Sequence, residues 1–459
     1  MIPADRLDRN PLITEAGYGL LKSIQQHPDA PYWSYVVGDR VRVEDLPLVE
    51  AYRRALFEQR PGGSPAPSPQ ILDWVRAMRS RARMFRRHIP EGMNLERDWA
   101  FVPTMAREDI ATRIEDIVPW DEDISRMIVY DTSGTTGHAI VVPYHPRTMA
   151  QNHPLIEYAL EQHGVRPHFG PDGVACFNVG AQATTVVFAN VFSVWNQAGF
   201  AKVNLHPRGW RDVENARRFF SILAPQFLTG DPMGFAELMR WKIPIRPAAM
   251  VSTAVALGSS LKSRLEAHFR CPVIDYYSTT ETGPVACSDP GGRGLVVFPP
   301  DVFVEVVDAD GYPAARGEIT VTGGRNPYLP LLRYRTGDFA RMSFEENAEG
   351  RVTARLLDLE AREAVMFRAT DGSPICPVDI GRIIREYPIV QHEFVQRADG
   401  SCDLALRPVP GGSVDTETLA GRLAALFGVM SPIDIRLDPA LGERMASGKV
   451  QPFRSELAV

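Results

Sequence analysis

The run Tyr130-Asp131-Thr132-Ser133-Gly134-Thr135-Thr136-Gly137 sets two glycines, one serine and three threonines in six consecutive positions. Glycines let the backbone turn sharply and aim successive N–H groups at one spot. With hydroxyls around that spot, such a loop holds a polyphosphate without many fixed positive charges. A hydrophobic run, Ile124 to Tyr130, leads in, and the apolar stretch Ile140-Val141-Val142 leads out. The same composition also makes ordinary polar turns between strands, so the run alone leaves both readings open.

Three further segments carry chemistry. In Asp275-Tyr276-Tyr277-Ser278-Thr279-Thr280-Glu281-Thr282-Gly283, an apolar run ends in a polar turn. An aromatic ring there can stack on a purine, hydroxyls can reach phosphate oxygens, and a carboxylate can hold Mg²⁺, which favours hard oxygen ligands together with phosphates. In Leu332-Arg333-Tyr334-Arg335-Thr336-Gly337-Asp338 a carboxylate at a turn can accept two hydrogen bonds from a ribose diol. In Met445-Ala446-Ser447-Gly448-Lys449-Val450-Gln451 a lysine on a glycine-containing loop can swing its charge into a distant site. Read singly, each has a plain counterpart: a capped surface loop, an Asp-Gly-type turn, an exposed lysine.

The elements that must position these residues follow from periodicity. Residues 1–120 read as mainly helical, with helical apolar spacing over Leu46 to Glu58 and Gln70 to Arg87. The Pro/Gly/Ser stretch Arg60 to Pro69 separates them, and Thr104 is placed to cap a helix whose first turn carries Glu108 and Asp109. Residues 121–362 form the core. Strands are expected at Val174–Val179, Ala201–Leu205, Met250–Thr253 and Val273–Tyr277, and helices at Ala183–Gln197, Asp212–Leu223 and Ser259–Phe269. This alternation predicts an α/β domain with a largely parallel sheet. From residue 294 short β-rich runs (Gly294–Phe298, Val302–Val307, Gly317–Thr322) predict a small β-subdomain. Residues 363–459 mix strands and helices as a small C-terminal α+β domain.

Composition excludes several classes. The chain has 459 residues and a net charge of −6, so neither nucleic acid nor an anionic membrane is an expected partner. The arginine-rich stretch Arg76 to Arg87 is interleaved with Met78 and Met84 and reads as a solvated helix face. No run of about 18 apolar residues occurs, so no transmembrane helix is expected, and the N-terminus lacks signal-peptide character. The five cysteines are scattered, with no CxxC pair, which points to a reducing, cytoplasmic setting. The ten histidines show no metal-ligand spacing, so zinc is not expected.

In this order and spacing, the four segments resemble the adenylate-forming superfamily of acyl-CoA synthetases, luciferases and peptide-synthetase adenylation domains. The helical N-terminus with Phe101-Val102-Pro103-Thr104, and the form Thr132-Ser133-Gly134-Thr135-Thr136-Gly137, resemble its phenylacetate–CoA ligase branch. The resemblance spans about residues 100 to 455. It implies that Thr132, Ser133, Gly134, Thr135, Thr136 and Gly137 embrace the ATP phosphates. Tyr277 would lie against adenine, Thr280 would touch the α-phosphate, and Glu281 would coordinate Mg²⁺. Asp338 would bind the ribose. Arg362 would sit at the hinge and face the nucleotide, and Lys449, on a mobile C-terminal lid, would bridge the acid's carboxylate and the α-phosphate. Coenzyme A, or a phosphopantetheine carrier, would be the acceptor.

Several positions depart from the pattern. His138-Ala139 stand where relatives often carry Lys-Pro. At the hinge, Ala361-Arg362-Glu363-Ala364-Val365 lacks the usual acidic pair. The strand Val251 to Val255 lacks a Gly-Glu bordering adenine. The acyl pocket is expected from Phe177, Asn178, Gly180, Gln182, Thr253 and Ala254. Within those stretches no Lys or Arg awaits a second carboxylate, so a compact aromatic or planar carboxylic acid is expected as the small-molecule partner, with Asn178 and Gln182 available to a ring substituent. Three functions follow: an acid–CoA ligase; an adenylation enzyme that passes its acyl group to a carrier-protein phosphopantetheine or an amine; and a nucleotide-binding scaffold without catalysis. A homodimer is compatible with all three.

Overall fold

The computed structural model describes residues 2–457 apart from 59–62, 133–139, 182–184, 255, 300, 347, 349–351, 361–366, 371–373, 376, 429–432 and 443–450. The N-terminal part is helical, with Leu46–Glu58, Pro69–Arg79, Arg83–His88 and Arg107–Ile117 as the elements that matter for the site. The expected single helix from Gln70 to Arg87 breaks after Ser80, which closes the first segment. The break lets Phe85 fold back edge-on against Trp74, with ring centroids 5.5 Å apart. Arginines of this stretch meet acids, as in Arg76 with Asp73 and Arg87 with Asp116.

The helix expected to start at Thr104 starts at Arg107 instead, and Asp109 accepts from the Ala106 N–H at 2.8 Å. Tertiary pairing overrides the local cap here. Met105 is drawn into extended contact with the strand Leu331–Glu346: its N–H donates to Arg333 O and its carbonyl accepts from Arg335 N. The buried Arg333 secures the same segment. Its guanidinium donates to Glu305 Oε1 (2.8 Å) and to the Val102 carbonyl (2.6 Å).

Among the described residues twelve strands form one hydrogen-bonded sheet. Its parallel half runs Val273–Thr279, Met250–Ser252, Phe227–Gly230, Val174–Gly180, Ala198–Asn204, and Phe188–Phe192 closes that edge antiparallel. The helix expected over Ala183–Gln197 is therefore not formed where the chain is described. Period-two burial wins: Ala189 and Val191 enter one core while Phe192 enters the other. Helices Val213–Leu223, Pro232–Arg240 and Ser259–Phe269 cover one face, and Pro146–Gln162 covers the other.

The β-rich stretch continues this sheet antiparallel through Gly283–Ser288, Leu295–Val297, Val352–Glu360, Leu331–Glu346, Arg316–Gly323 and Val302–Val307, around an apolar cluster that includes Val304, Val306, Ile319 and Val321. A separate two-stranded hairpin, Ile128–Thr132 with Ile140–Tyr144, brackets the glycine-threonine run. The C-terminal part builds its own four-stranded sheet with helices Pro377–Arg385 and Thr416–Phe427 and a core that includes Phe367, Phe394 and Leu423. Among the described residues no helix is long and apolar enough to cross a membrane.

Candidate active site

Open parallel sheets present ligand sites where their strands end. Here the ends are Asn204, Gly180, Gly230, Ser252 and Thr279. Beyond Thr279 the chain turns back at once into the antiparallel strand Gly283–Ser288. The Thr282 N–H donates to Thr279 Oγ1 (3.1 Å), and Gly283 takes the left-handed conformation (φ 65°) that closes the turn.

The turn's carboxylate, Glu281, is almost fully buried. Arg107, the first residue of its helix, donates to Glu281 Oε1 at 2.5 Å. Tyr144, at the base of the hairpin, donates its hydroxyl to the Thr280 carbonyl at 2.5 Å. Burial and the nearby charge of Glu281 hold the Tyr144 phenol above its ordinary pKa, so it stays a donor. Asn326 adds a second tie to the hairpin, donating to the Pro143 carbonyl at 2.7 Å. The hairpin that brackets the glycine-threonine run and the Tyr277–Glu281 corner are thus bonded to each other.

Asp338 joins the same region. The Tyr277 hydroxyl donates to Asp338 Oδ2 at 3.0 Å and lies 3.1 Å from Thr336 Oγ1. Thr336 Oγ1 in turn accepts the Asp338 N–H and donates to the Ile319 carbonyl. Glu318 fixes the turn from below: one oxygen accepts the Gly337 N–H (2.9 Å), the other accepts from Arg335 Nε (2.6 Å). Gly337 has φ 77°, which an L side chain would strain. The Tyr277 ring itself is buried among the apolar cluster of Val285, Ala286 and Val304.

At the acyl side, strand alternation separates two residues expected together. Phe177 is fully buried, stacked on Phe219 (5.4 Å) in the core beneath helix Val213–Leu223. Asn178 faces the other way and donates to Thr229 Oγ1 at 2.9 Å. The Thr253 N–H donates to the Gly230 carbonyl, and Ala254 stands exposed at φ 71°. Gly230 and Gly234 are required by crowding: a Cβ on either would lie 2.4 and 2.6 Å from the Val179 carbonyl oxygen.

Thr132 ends its strand, and its pairing with Ile140 closes the described part of the hairpin. Ser133, Gly134, Thr135, Thr136, Gly137, Gln182, Arg362 and Lys449 lie outside the described residues. Sequence reasoning missed Arg107, Tyr144 and Glu318. Glu318 had a local signal, a lone carboxylate inside the β-branched run Gly317–Thr322. Arg107 and Tyr144 had none, since their partners are 174 and 136 residues away. Among the described residues no group of three or more His, Cys, Asp or Glu could cage a metal. Glu281 fits the sparser magnesium mode, in which one carboxylate supplements a nucleotide's phosphates. Arg107 already holds one of its two oxygens, Oε1.

No protein-family model matches the chain. Among curated proteins, Protein CapK of Staphylococcus aureus is 22% identical over 312 residues, a match spanning 64% of this chain and 66% of that protein. Among solved structures, 2-hydroxyisobutyryl-CoA ligase in the postadenylation state with 2-HIB-AMP aligns with a TM-score of 0.62 at 18% identity, over 86% of this chain and 93% of the ligase. The same ligase in an open conformation, with 2-HIB-AMP and CoA, aligns at 0.55 and 17% identity, over 84% and 90% of the two chains. This chain shares its fold with these 2-hydroxyisobutyryl-CoA ligase structures.

Proposed function

We propose that this chain is an AMP-forming acid–thiol ligase. It activates a small carboxylic acid with ATP and passes the acyl group to coenzyme A. The observation that carries the reading is the convergence just described: hairpin, Glu281 corner and Asp338 turn bonded together at the carboxyl ends of a parallel sheet. Fold likeness to acyl-CoA ligases supports it.

The chemistry matches the residues. An acid and ATP are both anionic, so their repulsion must be offset and the reacting atoms held in line. A carboxylate oxygen attacks the α-phosphorus, forming an acyl–O–P bond as the bond to pyrophosphate breaks. A thiol then attacks the acyl carbon and AMP leaves. The acid is already an ionised nucleophile, so no catalytic triad is required. Asp338 holds the ribose, residues 132–137 hold the phosphates, and Thr280 and Glu281 face the α-phosphate and magnesium. Magnesium, when bound, supplies positive charge to the phosphates. Arg362 and Lys449 act from the hinge and from a mobile lid, residues 363–459. The acid is aromatic or planar, as in a phenylacetate–CoA ligase-like enzyme, and the reaction is cytoplasmic.

Acid-dependent ATP–pyrophosphate exchange across aryl, arylacetic and short fatty acids tests the reading, and release of free acyl-CoA on adding CoA identifies the acceptor. Absence of exchange with every acid would sink it. One variant probes the ribose site in the same assay. Tyr277→Phe removes the hydroxyl that steers Asp338 while leaving the buried ring. The KM for ATP is expected to rise about tenfold, the scale of one hydrogen bond to a charged group, with kcat within about twofold.

A further inference from the structure

Strand pairing brings a lysine to the acyl side that the chain order hides. Lys202 lies on Ala198–Asn204, directly in register with Asn178 on one side and Phe188 on the other. Asn178 is in turn in register with Thr229, to which it is hydrogen-bonded. Registered partners point to one face, so Phe188, Lys202, Asn178 and Thr229 form a row across the sheet.

The row one step back along that face is Asn190, Phe200, Cys176 and Phe227, in which Phe200, Cys176 and Phe227 belong to the apolar core. The sheet therefore changes from apolar to polar within a single layer. One step forward stands Gly180, and among the described residues nothing lies within 4 Å of where its Cβ would be. A polar floor thus lies at the carboxyl edge, with no described side chain against Gly180.

Lys202 is half-buried, and no hydrogen bond or ion pair holds its ammonium among the described residues. Asp231, which caps helix Pro232–Arg240, is the charge that faces it, and burial lowers the Lys202 pKa. A half-buried ammonium without a close acceptor is costly, and a ligand oxygen would supply one. Resting on the acid-activating function proposed above, we infer that Lys202 determines specificity: with Asn178 and Thr229 it binds an acceptor oxygen, a hydroxyl or second carboxylate, on the far side of the acid. This revises the expectation of a pocket without a cation.

The experiment compares matched acids in pyrophosphate exchange: benzoate, meta- and para-hydroxybenzoate, isophthalate and terephthalate, and the phenylacetate equivalents. Wild type is expected to favour an oxygen-bearing acid over its parent about tenfold to a hundredfold in kcat/KM, mostly through KM, as for a site built around a substrate oxygen. Hydroxylated against dicarboxylic members tells which oxygen is read. Lys202→Met, similar in length and uncharged, is expected to bring that ratio to within about threefold of unity while the parent acid's rate holds, and Lys202→Arg to restore part of it. An unchanged ratio in Lys202→Met, or no preference in wild type, overturns the inference alone. Exchange with no acid at all overturns the activating function and this inference with it.

Discussion

Replacing Glu281 with glutamine is expected to slow acid-dependent pyrophosphate exchange by about a hundredfold to a thousandfold, the scale seen when one electrostatic stabiliser of a transition state is lost. Glutamine keeps the size of the side chain and an acceptor for Arg107, so the turn of Thr279 to Gly283 should hold its shape, which circular dichroism checks. What it loses is the negative charge on a buried group facing the proposed phosphate site. The Arg107 contact makes this sharper. The Arg107 guanidinium sits 2.5 Å from Glu281 Oε1 and offsets its charge, so removing it would leave that carboxylate more available to a cation. Arg107→Met should therefore lower the magnesium concentration for half-maximal exchange by about tenfold, the scale of one charge-assisted bond. In Glu281→Gln the same arginine change should leave magnesium dependence alone. Full activity in Glu281→Gln would remove that residue from the metal role. A higher magnesium requirement in Arg107→Met would mean that the arginine positions Glu281 for the cation instead of offsetting the carboxylate's charge.

Lys449→Ala is expected to reduce kcat for adenylate formation about a thousandfold, with the KM for ATP within a few-fold. The argument is electrostatic. When the acid's oxygen approaches the α-phosphorus, two anions meet, and charge builds on oxygens that a lysine's positive charge would offset. Such a charge acts on the transition state more than on bound ATP, so the loss should fall on the rate. Downstream of Lys449, Phe453–Ser455 pairs parallel with Ile389–Gln396 in the C-terminal sheet. Single-turnover measurement of acyl-adenylate, with ATP affinity determined separately, separates the two effects. An unchanged rate would show that Lys449 has no part in the first step.

Much of the framework around the proposed site was legible because its signals are local. The Thr279–Gly283 turn follows a strand that the run Val273–Tyr277 announces by itself, and Ser259–Phe269 reads as a helix from its apolar spacing alone. Where local reading failed, a distant partner had won. Residues 188–192 read as part of a helix in isolation, but pairing with Ala198–Asn204 makes them an edge strand. Thr104 looks like a cap, but Met105 pairs with the strand that carries Asp338 and delays the helix to Arg107.

By itself the chain's order of residues singled out the groups proposed to do chemistry: the hydroxyl-rich run, the Tyr277–Glu281 corner, Asp338 and the late lysine. These are short-range properties of composition and backbone turn, and they survive without knowledge of neighbours. Only the tertiary structure decided which groups share a face or an ion pair. Arg107 meets Glu281 across 174 residues, and Lys202 stands beside Asn178 because two parallel strands adopt one register. Register depends on how whole strands bury their apolar faces, and a one-residue slip would turn Lys202 into the opposite core.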